Sequence, residues 1–191
     1  MTVPAVLVAL LLLAGCGEED PEPSSSVTAV DATDAATAEP SAEPSPEPSL
    51  SPPPMPPAAA EQTPAGAEAF TRWWFDLLNY AFATGDLDEF RAVSPEGCGT
   101  CDGFVQTITD IYARDSTLSG GQITLSQIYI PPGQQDPARI ELLAVFDQAA
   151  TIETTSSGTT RELNAALTEN SATMQALWDG KWVAAGVVPN Q

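Results

Sequence analysis

A change of composition near residue 64 decides how much of this chain can fold. Residues 17–64 hold 12 of the chain's 18 prolines, set among Ser, Ala, Thr and Glu, and no aromatic residue. Such a stretch buries too little apolar area to offset the entropy of ordering it. Runs such as Glu43-Pro44-Ser45-Pro46-Glu47-Pro48 and Pro52-Pro53-Pro54 favour polyproline II. The segment reads as a disordered tether, about 40 Å across when flexible and on the order of 150 Å when extended. A core must therefore come from residues 65–191, a length that suits one domain.

Ahead of the tether, Val3 to Leu13 is an apolar run of 11 residues, too short to span a bilayer. It ends in Leu13-Ala14-Gly15-Cys16, with small residues at the cleavage position of an export signal. That string resembles the lipobox of bacterial lipoproteins. The resemblance implies a signal peptide over 1–15, a diacylglyceryl thioether on Cys16, and a protein held on the extracytoplasmic face of the cell membrane. No Lys or Arg precedes the apolar run, a departure from the usual basic start. Each buried lipid methylene contributes ~0.8 kcal/mol, so two or more acyl chains suffice for stable anchoring.

The net charge is −20, and histidine is absent. Nucleic-acid binding needs clustered Lys and Arg, which this sequence lacks. An anionic lipid surface would repel the chain, which leaves attachment to the lipid. Without histidine the usual general base, the commonest metal ligand and any imidazole triad are missing. No cofactor is expected.

Within 65–191 the order is helices, then strands. Ala65 to Ala83 places Phe70, Trp73, Trp74, Leu77, Leu78, Ala81 and Phe82 at helical spacing, and Gly85 offers a left-handed cap. Asp86 with Glu89 reads as a capping box for a short helix, Leu87 to Val93, broken by Ser94-Pro95-Glu96-Gly97. A third helix is expected from Cys101 to Arg114. Gln122 to Ile130 reads as a strand with a bulge near Ser126, where the apolar phase shifts. Ala138 to Thr155 reads as one long strand with Ile140, Leu142, Ala144 and Phe146 alternating. Arg161 to Leu167 fits helix or strand equally. Ser171 to Trp178 and Lys181 to Val188 are strands around Asp179-Gly180, a type I′ hairpin signal. Helices followed by an antiparallel meander define an α+β domain.

The aromatic first helix, the Gly85-Asp86 break and the Trp178-Asp179-Gly180-Lys181-Trp182 hairpin resemble the SnoaL-like and ketosteroid-isomerase-like superfamily. That resemblance implies three helices packed on a curved, cone-like sheet, and a pairing of copies through the sheet. It also implies an apolar pocket, for which Trp73, Trp74, Tyr80, Tyr112 and Phe146 are the candidate lining. Together with the lipobox, the tether and Cys98-Gly99-Thr100-Cys101, the domain also resembles a family of uncharacterised actinobacterial lipoproteins. Enzymes of the isomerase type use a buried carboxylate with a tyrosine or histidine. Asp76, Asp86, Asp110 and Asp147 with Tyr80, Tyr112 and Tyr129 are the stock available, and nothing in their spacing pairs them.

Cys98 and Cys101 remain. Outside the cytoplasm thiols oxidise, and with Cys16 lipidated these two pair with none left over. A structural disulfide and a redox pair with a lowered Cys101 pKa are both open; two soft ligands do not make a zinc site. The sequence thus points to a non-catalytic domain that binds an envelope protein or a small apolar ligand. A pocket enzyme of the isomerase-like superfamily and a thiol-disulfide oxidoreductase are the alternatives.

Overall fold

The first helix has too much apolar surface for one partner to cover, and the rest of the molecule is arranged around it. The computed structural model describes residues 51–134 and 136–190. The predicted signal segment 1–15, the lipidation site Cys16 and the linker residues 17–50 lie outside them. Helix α1 spans Pro64–Thr84. Thr63 caps it by accepting a hydrogen bond from the Gly66 amide at 2.9 Å, and Pro64 opens it where no amide is needed. Eleven of its residues are buried, and Ala65, Arg72, Asp76 and Ala83 form a narrow exposed stripe. Trp73 and Trp74 point about 100° apart, so burying both requires cover on two sides.

Short helix α2 (Asp88–Val93) and helix α3 (Gly99–Tyr112) cover one side. Trp74 is fully buried there, with its ring centroid 5.1 Å from that of Phe90 and its indole N–H donating to Ser94 Oγ at 2.7 Å. The Gly85 cap is left-handed (φ 76°), as the sequence predicts. The capping box is not formed as expected: Asp86 Oδ1 accepts from the Asp88 amide, two residues on.

Seven strands follow: β1 (Thr117–Gly120), β2 (Ile123–Tyr129), β3 (Arg139–Gln148), β4 (Thr151–Thr154), β5 (Thr160–Asn164), β6 (Leu167–Trp178) and β7 (Trp182–Pro189). All pairings are antiparallel, in a four-stranded sheet of order β2-β3-β6-β7 and a three-stranded sheet of order β1-β4-β5. The fold is α+β, with the helices on the N-terminal side. The expected single strand from Ala138 to Thr155 is two strands, because the chain bends at Ala149-Ala150 and passes from the large sheet to the small one. Its neighbours bend at the same level, at Gly120-Gly121 and Ala165-Ala166. Both glycines have positive φ, and a Cβ on Gly120 would lie 2.0 Å from the Ala150 carbonyl oxygen. The bulge expected near Ser126 is present between Leu125 and Gln127. The alternation of Ile140, Leu142, Ala144 and Phe146 also holds, and these four face the helices. The last hairpin is not a two-residue turn: Trp178 pairs with Trp182 across Asp179, Gly180 and Lys181. Asn79 of α1 clamps the start of β2, accepting from the Ile123 amide at 2.8 Å and donating to its carbonyl at 2.9 Å.

The second side of α1 is covered by the segment assigned from composition to the linker. Residues 51–63 run along the domain as a strap with a 3-10 turn at Pro57–Ala60. Ala59 is buried, Trp73 Nε1 donates to the Pro53 carbonyl at 2.8 Å, and Trp182 Nε1 donates to the Glu61 carbonyl at 2.8 Å. The folded unit therefore begins upstream of Ala65. Composition does not reveal this, because the acceptors are backbone carbonyls: that of Pro53 in the proline run, and that of Glu61, which also accepts from the Thr63 amide.

Gly85 is held from both sides, by its positive φ and by the Tyr112 ring, 2.6 Å from where a Cβ would sit. A Gly85→Ala change is expected to lower stability by about 1–3 kcal/mol. Urea denaturation should show it as a lower midpoint at unchanged slope.

Candidate functional site

Helix α3 turns two faces in different directions. Cys101, Ile108 and Ile111 pack into the core. Thr100, Gly103 and Thr107, spaced by three and four residues, face the small sheet and do not fill the space between them. That space is a cleft of about 510 Å³. Phe82 from the end of α1 and Phe104 of α3 form one wall; Leu118 of β1 and Thr151 of β4 form another. Gln148, Leu163, Asn164, Ala165 and Leu167, where the strands bend between sheets, complete it. Every titratable side chain type is absent from this lining. Apolar side chains dominate, with two carboxamides and three hydroxyls among them.

Gly103 is the informative residue in this wall. It lies inside a 14-residue helix, where glycine costs roughly 1 kcal/mol relative to alanine. Its φ is not in the left-handed region, and nothing lies within 4 Å of where its Cβ would be. Neither backbone conformation nor packing calls for glycine there; the residue is exposed and lines the cleft without a side chain.

The small sheet that forms the far wall is held by an ion cluster. Glu153 of β4 is buried, and its two oxygens accept from Arg114 at 2.8 Å and Arg161 at 2.6 Å. Arg114 precedes β1 and Arg161 lies on β5, so one carboxylate ties together all three strands. The arginines hold its pKa down, from 4.5 to about 2. Thr151, on the same face of β4, has a buried hydroxyl without a hydrogen-bond partner.

The five residues predicted to line a pocket do not gather at the cleft. Trp73 lies under the strap, Trp74 fills the core between α1 and α2, and Phe146 packs on Phe75 with centroids 5.9 Å apart. Tyr80 donates to Asp86 Oδ2 at 2.9 Å on the surface, and Tyr112 donates to the Phe82 carbonyl at 2.9 Å. Burial raises the Tyr112 pKa. Aromatics at helical spacing served the core, and the cleft is built from Thr, Gly, Asn, Gln and Ala, which carry no periodic signal.

The candidate carboxylates are dispersed too. Asp76 is raised by partial burial, opposed by Arg72. Asp86 accepts from the Asp88 amide, Asp110 from Gln106, and Asp147 from the Glu169 amide. None lines the cleft. Cys98 and Cys101 form a disulfide with Cα atoms 5.2 Å apart, and both residues are buried at the start of α3. Among the described residues, no group of three or more His, Cys, Asp or Glu is placed to hold a metal ion.

Fold and cleft together define an α+β domain with an uncharged, mostly apolar cavity between a helix and a bent antiparallel sheet. A family model described as DUF6318, a family of unknown function, matches residues 33–187, and the chain belongs to that family. The matched span takes in the strap as well as the helices and sheets. No curated protein matches the chain. Among solved structures, it is similar to the intermembrane space region of the chloroplast protein ARC6, at 12% identity and a TM-score of 0.42, over 65% of this chain and 95% of that one.

Two measurements test the site's supports. The Glu153 pKa is depressed in the folded state, so its contribution is full above pH 4.5 and lost as pH falls through about 2. The stability gap between wild type and Glu153→Gln, from thermal melts, should be constant near neutrality and close over that window. Replacing Cys98 and Cys101 together by Ser should cost about 2 kcal/mol, the chain-entropy value for so short a loop, without loss of the fold by circular dichroism.

Proposed function

We propose that this chain is a lipid-anchored, extracytoplasmic envelope protein whose domain binds a small, neutral, largely apolar ligand in the cleft between α3 and the small sheet, without transforming it. The observation that carries the ligand reading is Gly103, a helix-interior glycine that lines the cleft without a side chain, at a cost to helix stability. The lining supports a neutral ligand: an ion would enter an apolar space with no counter-charge on its walls, at high desolvation cost. Amide and hydroxyl groups of Gln148, Asn164, Thr100 and Thr107 supply orientation.

The same walls argue against the enzyme alternatives. General acid–base work needs a titratable group within reach of the substrate, and the cleft lining offers none. A thiol oxidoreductase needs an accessible sulfur, whereas Cys98 and Cys101 are buried. The bending of three strand pairs around the helices supports the cone-like reading and kinship with the SnoaL-like superfamily, although the strands divide into two sheets. The address rests on sequence: the Leu13-Ala14-Gly15-Cys16 lipobox, the export signal over 1–15 and the proline-rich segment behind it, the architecture of the uncharacterised actinobacterial lipoproteins. No helix among the described residues is long and apolar enough to cross a membrane.

Nile red, a neutral apolar fluorophore, should bind the protein saturably with a blue-shifted emission. Gly103→Leu should weaken that binding by roughly tenfold or more while stability holds or rises by up to about 1 kcal/mol. Unchanged binding in that variant would remove the cleft as the site. For the anchor, Cys16→Ala should move the protein from the membrane fraction to the soluble one; if it stays in the membrane fraction, lipid on that thiol is not what retains it.

A further inference from the structure

The cleft lining carries one polar group that the fold itself does not use. Thr151 opens β4 in the cleft wall, and the residue is only 2% exposed. Among the described residues, nothing accepts a hydrogen bond from its buried hydroxyl or gives one to it. A buried hydroxyl left unpaired is destabilising. Valine has the same shape, suits a strand as well and carries no such cost. The other cleft hydroxyls pose no such question: Thr107 is exposed and Thr100 half-buried, within reach of water.

Two carboxamides stand beside it. Asn164 of β5 is the cross-strand partner of Thr151, and directly paired residues turn their side chains to one face. Gln148, at the end of β3, reaches the same corner. Its Nε2 donates to the Gly121 carbonyl at 3.4 Å, beyond the usual range of such a bond, and Thr151 Oγ1 lies 2.8 Å from where a Cβ on Gly121 would sit. No charged side chain lines the cleft. The helical wall brings two rings, Phe82 and Phe104, edge to face at 5.8 Å, with Leu118 of β1 beside them. The space thus joins a polar corner, with donors and acceptors to spare, to an apolar flank.

We infer that the ligand is an uncharged amphiphile, with a hydroxyl or carboxamide head seated at Gln148, Thr151 and Asn164 and an aliphatic body along Phe82, Phe104 and Leu118. The inference rests on the cleft being the binding site and adds the class of molecule it takes. A turn about χ1 of Thr151 brings its hydroxyl from the closed position to the cleft, where the head completes its hydrogen bonding. An ionised head is disfavoured because nothing at that corner neutralises it. A molecule without a hydrogen-bonding head is disfavoured too, because it would cover the two carboxamides and leave them unpaired.

The test uses the full-length protein and displacement of Nile red by 1-decanol, decanoate and 1-chlorodecane. These share a chain and differ in carrying a neutral hydrogen-bonding end, a charged end and an end that donates nothing. In wild type, decanoate at about pH 8, where it is ionised, should displace the dye roughly tenfold less well than 1-decanol. Thr151→Val and Asn164→Leu should each weaken 1-decanol by roughly fivefold or more and leave 1-chlorodecane unchanged or tighter. Thr151→Val should also raise the thermal midpoint, which separates a lost contact from a lost fold. Unchanged affinity for 1-decanol in both variants, an equal loss for 1-decanol and 1-chlorodecane, or decanoate binding as tightly as 1-decanol would each overturn this inference and leave the cleft as the site. Nile red that does not bind, or that binds Gly103→Leu as well as wild type, would remove the cleft and this inference with it.

Discussion

Two adjacent tryptophans on one helix set the terms for this fold. Trp73 and Trp74 leave α1 about a quarter-turn apart, so no single layer can bury both. The strands answer one flank with Ile140, Leu142, Met174 and Ala176, and α2 answers Trp74 with Phe90 and Ser94. What remains, the Trp73 face, is closed by the strap. Each indole N–H has an acceptor, as buried polar groups require. The acceptors are far apart in sequence and belong to different elements, so the helix organises its surroundings more than any neighbour organises it.

The cleft follows from the same economy. Helix α1 lies against both sheets, reaching β1 of the small one near Phe82, and α3 packs beside it, across strands that bend at Gly120-Gly121, Ala149-Ala150 and Ala165-Ala166. Small residues at the bend turn the sheet away, and the Glu153 cluster keeps its three strands together at that angle. Between a turned-away sheet and a helix with glycine at its centre, space is left over. Charge has been kept out of it despite a net charge of −20 over the chain.

Much of this was legible in the residues. The helical spacing of Phe70 to Phe82, the Gly85 cap and the phase shift at Ser126 are local patterns, and local patterns survive folding. The strand from Ala138 to Thr155 was overextended because alternation continues through the bend, and Ala149-Ala150 carries no turn signature. The Asp179-Gly180 turn was read one residue short because the Trp178–Trp182 pair lies outside it. The strap was invisible for another reason: proline-rich composition reports what a segment cannot do alone, and says nothing of carbonyls that two distant indoles will claim. The cleft was missed because its lining is chemically plain. Gly103 was the one available signal, an unneeded glycine in a helix.

The route by which the strap joins α1 has a mechanical consequence. Any pull transmitted through residues 1–50 reaches the domain at residue 51, and so meets the Pro53–Trp73 contact first and the Glu61–Trp182 contact second. Both would part in sequence, like stitches in a seam, before tension arrived at the first turn of α1. The order of these two contacts along the chain makes the strap, and not the sheets, the part of the domain that tension from that side engages first.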